Sequence, residues 1–124
     1  MITGIEHTAI LSTRPKELAA WYIDTLGFKT CYESSSTVMV RAQNGYIIEI
    51  TTGEGEAPVN EMKTTGLRHL AIAVSDFDSV YQALKEKHVN FTGEPYGTQG
   101  NRVVFFTDPE GNFLHLLYRP APLP

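Results

Sequence analysis

Residues 4–10 read GIEHTAI, and residues 66–72 read GLRHLAI. Gly, His, Ala and Ile coincide at an offset of 62, which pairs His7 with His69. An internal repeat speaks about architecture first, because each copy must build the same local structure. The segments downstream of the two copies agree. Arg14 to Leu26 carries apolar residues at Leu18, Trp21, Tyr22 and Leu26 and stops at Gly27, the pattern of a helix with one buried face. Asp76 to His88 carries Phe77, Val80, Tyr81 and Leu84 at the same kind of spacing, with Asp76 placed to cap the first turn.

Short β-branched and aromatic runs come after each helix. The first half gives Phe28 to Glu33, Thr37 to Arg41 and Tyr46 to Thr51, with Asn44-Gly45 as the turn between the last two. The second half gives Val89 to Gly93, Arg102 to Thr107 and Asn112 to Tyr118, with Asp108-Pro109-Glu110-Gly111 as the turn. Aligning Gly45 with Gly111 sets an offset of 66 and pairs Glu49 with His115. Each half therefore reads strand, helix, strand, strand, strand. The expected organisation is one domain of 124 residues: a first module over about 1–51, a linker over about 52–65, and a second module over about 66–119.

The repeat singles out four polar residues. Alternate side chains of a strand share a face. His7 thus lies with Ile5, Ala9 and Leu11, and His69 with Leu67, Ala71 and Ala73. Glu49 shares a face with Ile47 and Thr51, and His115 with Phe113 and Leu117. These neighbours predict half-buried or buried polar groups. A buried carboxylate must be paired, protonated or bound to a cation. Glu49 has two readings: an ion pair to Arg41 or Arg102, or a place in a metal site with the three histidines. A lone strand histidine is ordinarily a hydrogen-bonded core residue, so the case rests on all four occupying repeat-equivalent positions. Imidazole and carboxylate together suit Zn, Ni, Co, Mn or Fe(II), rather than the all-oxygen shells of Ca or Mg. His88 has no repeat partner and reads as a solvated residue.

The totals exclude several function classes. A formal net charge of -4, with ten basic residues scattered along the chain, argues against nucleic-acid binding. No apolar run has the length of a membrane span, and MITGIEHTAI lacks the profile of a signal peptide. Cys31 is the single cysteine, so neither an intrachain disulfide nor a thiolate cage is available, and a reducing cytoplasm is the expected compartment.

With these residues in place, the chain resembles the vicinal oxygen chelate superfamily, which includes glyoxalase I, methylmalonyl-CoA epimerase, fosfomycin-resistance proteins, extradiol dioxygenases and bleomycin-binding proteins. The matching pieces are GIEHTAILST with WYIDTLGFKT, then NGYIIEI, GLRHLAIAVSD and RVVFFTDPEGNFLHLLY, together nearly the whole chain. The resemblance implies an α+β fold of two tandem βαβββ modules forming an open, cupped mixed sheet around one divalent metal (Zn, Ni, Co, Mn or Fe). Its ligands would map onto His7, Glu49, His69 and His115, and members of this size are commonly homodimers. Glyoxalase I-like enzymes usually carry Glu where this chain has His115, so the site here would keep one net positive charge. That departure argues against lactoylglutathione lyase activity in particular.

The leading expectation is a metal-dependent lyase or isomerase acting on a small substrate with two adjacent oxygens. Both oxygens would chelate the metal, which stabilises the enediolate formed as a carbon-bound proton leaves for Glu49, the catalytic base. Two His and one carboxylate also form the facial triad of Fe(II) oxygenases, so an extradiol-type dioxygenase is the enzymatic alternative. A transferase of the fosfomycin-resistance kind ranks lower, for want of a dense cationic cluster. The non-enzymatic alternative is a metal-free binding module of the bleomycin-resistance kind, with Tyr46, Tyr96, Phe105 and Tyr118 as candidate pocket residues and Arg41, Arg102 and Arg119 as candidate anion contacts.

Overall fold

A computed structural model describes residues 1–59 and 61–124, so one position of the stretch read as a linker lies outside the described residues. The chain divides into two compact units, Met1–Pro58 and Val59–Pro124. Unit one contains β1 (His7–Ser12), α1 (Pro15–Leu26), β2 (Lys29–Glu33), β3 (Thr37–Arg41) and β4 (Ile47–Thr52). Unit two contains β5 (His69–Ala73), α2 (Phe77–Glu86), β6 (Asn90–Phe91), β7 (Arg102–Thr107) and β8 (Phe113–Tyr118). This is the expected α+β class, with two tandem βαβββ modules.

The sheets share one topology. Strand order is β1-β4-β3-β2 in unit one and β5-β8-β7-β6 in unit two. The first and last strands of each module pair in parallel across the helical crossover, while the other pairs are antiparallel, so both sheets are mixed. Each helix covers one face of its own sheet. In unit one Leu18, Ala19 and Tyr22 of α1 are buried together with Val38, Val40, Ile48 and Ile50. In unit two Phe77 and Leu84 of α2 are buried with Val104, Phe106, Leu114 and Leu116. Full burial of side chains this size contributes about 1.5–3 kcal/mol each, so each layer stabilises its own module. The opposite face of each sheet carries the residues of interest.

Both turns between the last two strands share one plan. Ala42 N–H donates to Tyr46 O and Gly45 N–H to Ala42 O, at 2.8 and 2.9 Å. Asp108 N–H donates to Asn112 O and Gly111 N–H to Asp108 O, both at 3.0 Å. Gly45 (φ 94) and Gly111 (φ 85) occupy left-handed backbone that a Cβ disfavours, which is why the repeat preserves glycine there.

Two elements fall short of the sequence pattern by two residues or more. The second helix ends at Glu86 rather than His88, because the chain turns over through left-handed His88 (φ 59), with His88 N–H on Lys85 O. The strand expected over Val89 to Gly93 keeps only Asn90 and Phe91 in the ladder. Gly93 and Pro95 interrupt it, and pairing resumes as a single bridge between Tyr96 and Val103. Among the described residues no helix is long and apolar enough to cross a membrane.

Candidate functional site

Ladder register shows how the duplication disposes the four singled-out residues. In unit one His7 pairs with Ile47 and Ala9 with Glu49. In unit two His69 pairs with Phe113 and Ala71 with His115. His7 and His69 are thus equivalent, and so are Glu49 and His115. Ile48, Ile50, Leu114 and Leu116 point into the helix-covered layers, so strand alternation puts all four residues on the open faces.

In unit two His69 and His115 come together, with ring centroids 4.7 Å apart. The Phe105 ring stands against both, at 5.3 Å from His69 and 4.8 Å from His115. Phe105 is directly opposite His115 in the ladder. Nδ1 of His115 lies 3.1 Å from Leu116 O. A carbonyl oxygen only accepts, so Nδ1 carries the hydrogen and Nε2 keeps its lone pair. Burial holds the imidazole below its ordinary pKa, the hydrogen bond to Leu116 opposes this, and the nearby His69 and Arg119 lower it further. The neutral form favoured here is the one that ligates metals.

In unit one His7 Nδ1 donates to Glu6 Oε1 at 2.7 Å, which likewise leaves Nε2 available. Glu49 is half-buried and has no hydrogen bond or ion pair among the described residues. Arg102 instead faces Asp78 at 3.6 Å and lies over the Phe77 ring, and no ion pair joins Arg41 to Glu49. The salt-bridge reading of Glu49 therefore finds no support.

Burial matches expectation only in part. His115 is buried and Glu49 half-buried, whereas His7 and His69 are exposed, because β1 and β5 are edge strands with a neighbour on one side only. His88 is exposed as expected, although the sequence gives no sign of its left-handed backbone. Among the described residues no group of three or more His, Cys, Asp or Glu side chains is drawn together as a metal-holding cluster. What the fold brings together directly is the His69–His115 pair. By chemistry alone, each of the four singled-out residues is a donor type that suits a divalent metal: His7 and His115 have Nδ1 engaged by an acceptor and Nε2 free, and Glu49 offers an unpartnered carboxylate. Two contributors escape sequence reading. Glu6 precedes β1, where alternation gives no guidance, and Phe105 is only one candidate pocket aromatic among four.

Comparison with known proteins agrees with the fold. Residues 4–116 match the sequence profile of the Glyoxalase/Bleomycin resistance protein/Dioxygenase superfamily. The uncharacterised protein YwkD of Bacillus subtilis (strain 168) is 30% identical over 121 residues, 89% of this chain and 92% of its own length. The uncharacterised protein YaeR of Escherichia coli (strain K12) is 35% identical over 123 residues, 90% of this chain and 93% of its own. Among solved structures, oxidase ChaP-H2 superposes with a TM-score of 0.76 at 25% identity, covering 97% of this chain and 96% of that one. The chain belongs to the glyoxalase, bleomycin resistance and dioxygenase superfamily.

Proposed function

We propose that the protein is a metal-dependent lyase or isomerase for a small substrate with two adjacent oxygens, with His7, Glu49, His69 and His115 holding the metal. The observation that carries this reading is Glu49. It is half-buried, has no partner among the described residues, and occupies the position equivalent to a buried neutral histidine. A carboxylate left in that state calls for a cation. The bound divalent ion would supply Lewis acidity toward the two substrate oxygens.

The chain's own residues do the rest. The Leu116 carbonyl fixes which His115 nitrogen faces outward, and Glu6 does the same for His7. Phe105 braces the His69 and His115 rings from one side. Glu49 is the one carboxylate of the set, so its Oε atoms are the acceptor for the proton that leaves the hydroxyl-bearing carbon beside the substrate carbonyl.

Deuterium wash-in from D₂O tests this directly. Metal-loaded protein is mixed with a panel of α-hydroxy ketones and exchange at the carbon-bound proton is followed by NMR. Glu49→Gln is expected to slow exchange by at least about 100-fold while keeping the metal content. Equal exchange by the variant, or no exchange with any of Zn, Ni, Co, Mn or Fe, contradicts the proposal.

A second reading has one specific support, the likeness to a protein named as an oxidase. Two histidines and a carboxylate can hold Fe(II) for oxygen chemistry, although a fourth ligand at His115 would occupy a position that O₂ and a chelating substrate need. Oxygen uptake by the iron-loaded protein with catechols separates this reading from the first.

A further inference from the structure

The modules differ most sharply in one row of the open faces. In unit one the row runs His7, Ile47, Arg41, Lys29, read from the ladder pairs His7–Ile47, Ile47–Arg41 and Arg41–Lys29. In unit two it runs His69, Phe113, Thr107, Asn90. The second row closes on itself: Asn90 Nδ2 donates to Thr107 Oγ1 at 2.9 Å. The first row ends in two cations set directly opposite each other. Like charges in that relation destabilise an antiparallel pair.

The shared fold does not require two cations at these positions. The second module builds the same two strands with a neutral, hydrogen-bonded pair. Acidic residues are also at hand, because the other two cations of unit one both have carboxylate partners: Arg14 with Glu17 at 3.3 Å and Lys16 with Glu33 at 2.8 Å. Lys29 and Arg41 are exposed and have no ion pair or side-chain hydrogen bond among the described residues. Phe28 and Val40, the residues before them, are buried under α1, so alternation turns both cations to the open face that carries His7 and Glu49.

We infer that Lys29 and Arg41 form an anion subsite that takes a carboxylate or phosphate group of the substrate. An oxyanion between them removes the like-charge penalty and accepts charge-assisted hydrogen bonds, which Arg makes in a planar fork. Strands lie about 4.8 Å apart, so Arg41, two strands from β1, stands roughly 10 Å from His7 across the sheet. The substrate class is thereby narrowed to a molecule with adjacent oxygens at one end and an anionic group about 8–12 Å away. This inference rests on the proposed function for the role of the other end, but the subsite itself is testable without it.

The test is an NMR titration of the full-length protein with inorganic phosphate and, separately, malonate, at ionic strength held constant with NaCl. Saturable shifts at Lys29 and Arg41 are expected. Affinity should fall about tenfold in Lys29→Gln and in Arg41→Gln, and vanish in Lys29→Asn/Arg41→Thr, which copies the satisfied pair of the second module. With metal stripped from all samples by chelator, a His69→Ala/His115→Ala variant should bind the probe as the wild type does. That variant separates loss of the metal reading from loss of the subsite. Tighter binding of phosphate supports a phosphorylated substrate, and tighter binding of malonate supports a carboxylate. Linear, non-saturating shifts with both probes, or undiminished binding in any of the Lys29 and Arg41 variants, overturn the inference.

Discussion

Two modules of one chain use the same strands, helix and turns, yet finish equivalent positions with different chemistry. α1 ends on Gly27 (φ 77), while the corresponding residue after α2 is His88 (φ 59). α2 starts at Asp76, whose side chain accepts from Ser79 N–H, whereas Arg14 at the start of α1 makes no such cap. The second hairpin turn is tied by Asp108, which accepts from Glu110 N–H, Asn112 N–H and Asn112 Nδ2, while the first has Ala42 in that place. On the open faces His115 answers Glu49, and the Asn90–Thr107 pair answers Lys29 and Arg41. The duplication acts as an internal control. Where both modules agree on a buried or left-handed position, the fold demands the residue; agreement on the open face, as at His7 and His69, and every difference between the modules point to local stability or a ligand.

The largest expected effects separate the two faces of each sheet. Ile48→Ala and Leu114→Ala remove side chains buried against the helices, and each should cost about 2–5 kcal/mol in chemical denaturation. With metal removed by chelator from all samples, His69→Ala and Glu49→Ala, on the open faces, should stay within about 1 kcal/mol of wild type. Comparable losses on both faces would break the division of labour between helix-covered and open surfaces.

Helix ends come next. Gly27→Ala places a Cβ in left-handed backbone and should cost about 1–2 kcal/mol. His88→Gly relieves the same strain in the other module, and should gain about 0.5–1 kcal/mol once the greater freedom of glycine in the unfolded chain is counted. Equal and opposite changes at the two positions would show that the caps are interchangeable. A loss at His88 would show that its side chain has a role beyond the turn.

Smaller effects lie at the helix starts. Arg14→Ser brings a Ser ahead of Glu17, the spacing of a capping box, and should gain about 0.5 kcal/mol. Asp76→Ala should lower the melting temperature. The Asp76 carboxyl is held below its ordinary range by the Ser79 hydroxyl first and the Ser79 backbone N–H second. Its folded pKa is therefore depressed. The contribution is complete above the unfolded carboxylate value and is lost as pH falls through the folded one, so the deficit of Asp76→Ala should narrow below about pH 4. A deficit independent of pH down to about 2 would remove the cap from the account.

Much of this is legible without coordinates. GIEHTAI and GLRHLAI, with the two glycine turns, carry the element order because period, punctuation and repeat all agree. The equivalences His7 with His69 and Glu49 with His115 come from offsets alone, and the ladder register reproduces both. Other features depend on contacts that a linear pattern does not carry. Exposure of His7 and His69 stems from edge positions, which require strand order. The early end of α2 stems from backbone φ at His88, where the sequence has no glycine to mark the turn. The opposition of Lys29 and Arg41 needs the register of β2 on β3, where a bulge between Thr30 and Tyr32 defeats simple alternation.

One metal held by His7, Glu49, His69 and His115 is the core of the proposed function. It is tested most directly by elemental mass spectrometry of the full-length protein purified without chelator, beside His7→Ala/Glu49→Ala in the first module and His69→Ala/His115→Ala in the second. The account expects about one Zn, Ni, Co, Mn or Fe per wild-type chain, lost in both double variants. Metal retained in full when either pair is removed, or absent from wild-type protein even after reconstitution, would contradict it.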